Sequence, residues 1–192
     1  MIGEVLTLLR GRLNGYISAR EGVVPGEPNP DKVLLLDGEK MDPIEFPLGA
    51  VTALLINIEQ DKSQAPPDPY YRTLPDGKSE RVSPEIRMNL YVLFVARFKQ
   101  YEQGLSYLSL VIQYFQNHRL LNHDNSPELS DRIQKLALEL VTLPFSEQNE
   151  VWNALRTTYH PSVLYRVRMV VFEDAESIGG PPITEKVVRT TQ

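Results

Sequence analysis

The chain has 192 residues, 42% of them hydrophobic and 23% charged, which is the composition of one sizeable globular domain rather than a disordered, collagen-like or coiled-coil chain. Twenty basic against 25 acidic residues give a formal net charge of -5, which argues against a nucleic-acid binder, because phosphate neutralisation needs a basic surface. There are no cysteines, so disulfides, thiolate catalysis and cysteine-ligated zinc are excluded, and no apolar run approaches the ~18 residues that would span a bilayer.

In chain order, Ile2, Val5, Leu6, Leu9, Leu13, Tyr16 and Ile17 recur at steps of three and four and predict an amphipathic helix, weakened by Gly11 and Gly15. Pro25, Pro28 and Pro30 mark a turn-rich stretch. Two apolar runs follow, Val33 to Asp37 and Val51 to Glu59; the second is apolar on both faces in its middle, as in a strand covered on two sides. Residues 60–83 hold four prolines among charged and small polar residues. This break is long for an internal loop and is expected to be a hairpin tip, a mobile flap or a contact surface. Ile86 to Val95 reads as the strongest strand, buried on both faces in its middle.

The period then switches to 3.6. Phe98, Tyr101, Leu105, Leu108, Ile112 and Phe115 predict a long helix and are read as its core stripe. Asn122 to Pro127 is a turn, and Ile133 to Thr142 a strand with Leu136, Leu138 and Leu140 on one face. Ser146 is the expected N-cap of a short helix whose Val151, Trp152 and Leu155 share a face. Val163 to Phe172 is the last strand, with Tyr165, Val167, Met169 and Val171 facing one way and Leu164, Arg166, Arg168 and Val170 the other. Residues 1–174 thus form one domain and 175–192 an extended tail jointed at Gly179-Gly180. The expected class is α+β: a single mostly antiparallel or mixed sheet packed against helices.

No catalytic constellation is visible. His118 and His123 are five apart, which does not stack two ligands on one helical face, and both read as exposed turn residues. His160 at a helix end is expected to carry a charge that suits the dipole. There is no serine between glycines at the nucleophile-elbow spacing and no phosphate loop; Glu59 reads as a solvated strand-edge residue. Arg166 and Arg168 share a strand face and are open to two readings, pairing with a partner's carboxylates or a solvated surface. The expectation is a protein without catalytic, cofactor or metal residues. Its candidate interface residues are Lys62, Arg72, Lys78 and Arg81 in the break, Arg166 and Arg168 on the last strand, and Ile183, Val187, Val188 and Arg189 in the tail. The tail alternates enough to add a strand to a neighbouring sheet edge.

An ordered set of segments carries a family likeness. It comprises Met1-Ile2 with Leu6, Leu9, Leu13 and Asn14; Leu55-Ile56-Asn57-Ile58-Glu59; Asn89 to Phe94; and Tyr101 to Phe115, closed by Gln116. Leu136 to Leu143, Phe145-Ser146-Glu147 with Trp152, and Tyr159 to Met169 complete it. Together they resemble the N-terminal domain of the cap, or tail-terminator, protein of phage-tail-like contractile injection systems of the antifeeding-prophage and virulence-cassette type. The resemblance implies a terminator-like α+β fold and a structural role in a homo-hexameric ring on the baseplate-distal end of the particle. Its partners would be the inner tube protein and the sheath protein, whose polymerisation it ends, with assembly in the cytoplasm and no direct membrane insertion. The alternative is a small adaptor that holds one partner through its loop or tail.

Overall fold

A computed structural model describes residues 1–21, 30–38, 43–61, 71–73, 79–81 and 87–171. The elements run α1 (Ile2–Arg20), β1 (Val33–Leu35), β2 (Ala50–Gln60), β3 (Tyr71–Thr73), β4 (Ser79–Arg81), β5 (Arg87–Arg97), α2 (Tyr101–Asn117), β6 (Leu120–Asn122), β7 (Ile133–Val141), α3 (Phe145–Ala154) and β8 (Ser162–Val171). Six strands make one sheet in the order β1-β2-β5-β8-β7-β6. Every neighbouring pair is antiparallel except β1 with β2, so the sheet is mixed and the class α+β. β3 and β4 pair as a separate two-stranded ribbon in the excursion between β2 and β5, placing a hairpin within the proline-rich break.

The sheet carries a core on each face. On one, α1 and α2 pack over Val51 and Ala53 of β2, Leu90, Val92 and Phe94 of β5, Leu136 and Leu138 of β7 and Tyr165, Val167 and Met169 of β8. On the other, Trp152 of α3 meets Phe46, Leu54, Leu93, Val95 and Leu164. β5 and β8 are central, so their middles are apolar on both sides, which is why these strands read as continuous hydrophobic runs.

α1 is tied to the sheet edge by Asn14. Its side-chain oxygen accepts from the backbone N–H groups of Lys32 (3.0 Å) and Val33 (2.8 Å), and its amide donates to the Val33 carbonyl (2.9 Å). One side chain thus serves the backbone groups of the short parallel strand β1. Gly49 enters β2 at φ +87°, a conformation that side-chain-bearing residues rarely adopt.

Four expectations change. The buried stripe of α2 is Gly104, Tyr107, Leu108, Val111, Tyr114 and Phe115, whereas Tyr101 and Leu105 are exposed. α2 is apolar on much of its circumference, and packing against α1 selects the face: Tyr107 donates a short hydrogen bond to Glu21, and the Tyr114 ring meets Tyr16 at 5.2 Å. Leu140 shares the helix-bearing face with Leu136 and Leu138 but is 48% exposed. α3 starts one residue before Ser146, with Pro144 at the N-cap position and no side-chain cap. His160 sits edge-on against Phe46 (5.7 Å) and Trp152 (6.2 Å). Burial there, with Arg97 nearby, lowers its pKa and disfavours the charged ring that a dipole role needs.

Candidate interface surfaces

α3 and Phe46 cover only part of their face of the sheet. The rest is a polar field built by β-strand alternation: Asn57 and Glu59 on β2, Asn89 and Tyr91 on β5, Arg166 and Arg168 on β8 and Glu139 on β7. A β-bulge between Leu55 and Asn57 makes this possible. Before it Leu54 faces the α3 core; after it Asn57 and Glu59 take that face, where regular alternation would have turned them toward the helix pair.

The field is cross-linked along a row that spans four strands. The Tyr91 hydroxyl donates to Glu59 Oε2 at 2.9 Å, Arg166 lies opposite Tyr91 in the strand register, and Arg166 donates to Glu139 Oε2 at 2.5 Å. Beside it, Arg168 Nε lies 3.5 Å from Asp61 Oδ2. Arg166 holds the Glu139 carboxyl below its ordinary pKa, while burial and then Glu59 raise the Tyr91 hydroxyl. Glu139 is 59% exposed and the side chain of Arg168 42%, so the pairs lie open to solvent and to any partner. Exposed pairs of this kind contribute little to stability, typically ~0–1 kcal/mol. What they lay out is a charge pattern across neighbouring strands of one sheet face.

Of the residues singled out from sequence, Arg166 and Arg168 come together on this field, paired with carboxylates of their own chain. Arg72 and Arg81 lie on the two strands of the ribbon, in the adjacent registered pairs Arg72 with Glu80 and Arg81 with Tyr71. Lys62, Lys78, Ile183, Val187, Val188 and Arg189 lie outside the described residues, as does the Gly179-Gly180 joint. Sequence reasoning did not find Glu139, Asp61 or Tyr91, which reach the arginines only through strand pairing. It also passed over a second surface, where the glycines of α1 were the available signal.

That second surface is a groove of about 900 Å³ along the outer side of α1, lined by Gly3, Thr7, Gly11, Gly15, Tyr16 and Tyr114 among others. Arg12 braces one wall, bonding Glu128 (2.6 Å) and the Asn125 carbonyl (2.8 Å). His118 stacks on Tyr114 at 4.3 Å, with Nδ1 2.9 Å from the Tyr114 carbonyl oxygen. His123 Nε2 lies 3.0 Å from the Ile133 carbonyl oxygen, within the turn before β7. Among the described residues no three His, Asp or Glu side chains converge as a metal site, and no helix is long and apolar enough to cross a membrane. What the two surfaces offer chemically is charge on one and a shaped groove on the other.

Residues 4–185 match the Pvc16 N-terminal domain family. Among solved structures, the chain is similar to the sheath/tube terminator, in its extended state, of the extracellular contractile injection system PVC. The TM-score is 0.59 at 15% identity, over 100% of this chain and 64% of that one. It is also similar to the tube-terminating cap of the anti-feeding prophage, at TM-score 0.49 and 13% identity, over 73% of this chain and 49% of that one. The chain therefore spans less than two thirds of the length of either. No curated protein sequence matches it significantly.

Proposed function

Since the chain belongs to the Pvc16 N-terminal domain family, we propose that it is a structural cap of a contractile injection particle. It closes as a ring of six copies on the baseplate-distal end of the inner tube, meets the last sheath ring, and ends polymerisation of both. The observation that carries this reading is the family match over residues 4–185. The fold shared with a sheath/tube terminator agrees with it.

The surfaces fit the role. A closed ring of identical copies needs two different complementary patches on each, since a head-to-tail contact that closes is heterologous. The polar field and the α1 groove lie on opposite faces of the sheet, so neither needs to serve both neighbours. The work is non-catalytic: the cap acts by occupying the end where the next tube and sheath subunits would add. It assembles in the cytoplasm as part of a particle of the extracellular type.

Particles assembled with and without the chain, imaged by negative-stain electron microscopy, test the reading. Uniform closed ends that become ragged or overlong in its absence are expected, as is a mass of about six copies for the isolated ring. Identical tube lengths and end shapes in both samples would overturn it.

A further inference from the structure

Four large apolar side chains are left in water at one end of the sheet. β2 starts there at Ala50, which pairs with Arg97 at the close of β5, and β7 ends there at Val141, opposite Leu164 near the start of β8. Two backbone hydrogen bonds tie the loops of this end: the Gly49 N–H donates to the Arg97 carbonyl (2.7 Å) and the Ala96 N–H to the Pro161 carbonyl (2.9 Å). Leu48, Tyr101, Phe145 and Tyr159 all lie within four residues of these strand ends, and they are 63%, 67%, 91% and 58% exposed. The described loop at the opposite end, residues 123–132, buries its one large apolar side chain, Leu129.

A single exposed leucine needs no explanation, but this set does. Tyr101 and Phe145 are the first residues of α2 and α3, where an acidic side chain would suit the helix dipole better. Taking ~200 Å² for each ring, the three aromatic side chains alone leave about 430 Å² in water. That matches the largest patch of a typical monomer and is about half of what one partner gives to a standard interface. The charges next to the four residues in sequence nearly balance, Lys99 and Arg156 against Glu45, Glu102 and Glu147. Such a patch selects an apolar protein surface rather than a charged one.

The direction of the patch narrows the partner. On the cap reading, from which this inference proceeds, ring neighbours meet the two faces of the sheet. The strand ends look at right angles to both faces and are left for the contact along the particle. Subunits of a polymer bury their stacking surfaces against one another, and such obligate surfaces are more apolar than ordinary ones. Only at the open end of the polymer is one uncovered. We infer that this end of the sheet, with Leu48, Tyr101, Phe145 and Tyr159, seats on the exposed stacking face of the last inner-tube ring. Tyr101 and Phe145 are the anchors, and Tyr159, held against Trp152 at 5.4 Å, is a fixed wall beside them.

The test uses the full chain carrying Tyr101→Ser with Phe145→Ser, both at exposed positions that the fold does not rely on, and tubes assembled from the tube protein alone. Wild-type rings should co-sediment with these tubes and be little affected by salt, since apolar contact is not screened. The double variant should keep the wild-type Tm and ring mass while binding tubes at least tenfold more weakly. Leu120→Ser, at a half-exposed leucine on β6 away from this end, should leave binding unchanged. A double variant that binds tubes as well as wild type would overturn the inference and leave the cap reading standing. Equal weakening by Leu120→Ser, or wild-type binding abolished by salt, would do the same. So would a double variant that falls apart into monomers, which would make this end a contact between copies, or one that keeps the tube and loses the sheath. Wild-type protein that binds no tube would remove the cap reading and this inference with it.

Discussion

Replacing Trp152 by alanine tests whether the face of the sheet away from the helix pair is an independent core. Trp152 is the only tryptophan, is 5% exposed, and clusters with Leu54, Leu93, Val95 and Leu164 of the sheet, its ring edge-on to the loop residues Phe46 (6.2 Å) and Tyr159 (5.4 Å). A buried indole removes on the order of 200 Å² from water, worth about 5 kcal/mol at ~25 cal/mol per Å². A denatured chain that is already partly compact lowers this to roughly 3–4.5 kcal/mol, within the ~3–5 kcal/mol range of such truncations. Urea unfolding followed by far-ultraviolet circular dichroism reads the change, since the substitution removes the fluorescent probe. Hydrogen exchange locates it: protection should fall in α3 and around Phe46 and persist in α1 and α2, because the two clusters are separated by the sheet. A loss below ~1 kcal/mol, or one spread evenly over both faces, would refute the reasoning.

Other predictions rest on single contacts. Asn14→Ala strips β1 of its side-chain partner and should cost ~1–3 kcal/mol, with β1 amides losing protection first; an unchanged midpoint in urea would contradict the clamp. Burial and the contact with Glu21 push the Tyr107 hydroxyl up to about 12, so folding favours its neutral form. That stabilisation is complete below pH 10 and is lost as pH rises from 10 to about 12; a flatter alkaline limb is expected for Tyr107→Phe, and identical limbs would dismiss the account. The pKa of His160 is lowered, so its contribution is complete above pH 6.5 and fades as pH falls through the folded value. His160→Phe should keep the edge-on packing and remove that loss below pH 6.5. Glu139, held down by Arg166, titrates in the same sense below pH 4.5, so Glu139→Gln should alter only the more acid part of the curve.

The elements were largely legible because their periods are local. Alternation in 163–171 fixed which residues of β8 meet the helix pair, and the structure agrees residue by residue. The stripe of α2 was not legible: its sequence offers overlapping apolar faces, and α1, some 90 residues earlier, selects among them. Leu140 failed for a related reason, since alternation gives the face and not how far a helix extends over it. For the polar field, the sequence showed two arginines on one side of a strand. It did not show that Glu139 lies opposite Arg166, a fact of strand register between residues 27 apart. The parallel pairing of β1 rests on Asn14, whose side chain stands in for a strand neighbour without any periodic signature.

The bulge in β2 has a consequence for how this strand tolerates changes of length. It holds one residue more than β5 between Leu55 and Asn57, and everything beyond it is set one step out of phase with what precedes it. Loss of a residue at that point would straighten the strand and still leave Ile58 and Glu59 on their present sides. Loss well after it would instead be made up by dissolving the bulge, and the residues in between would turn over, carrying Asn57 toward the oily layer beneath α2; loss well before it would turn over Leu55 and Ile56 and leave Asn57 in place. The strand thus has something like a reading frame, with a single place where a deletion is silent. Natural variation in length within this strand should gather there, and shortened chains should keep their charged surface when the cut falls at or before Ile56 and lose it when the cut falls well beyond.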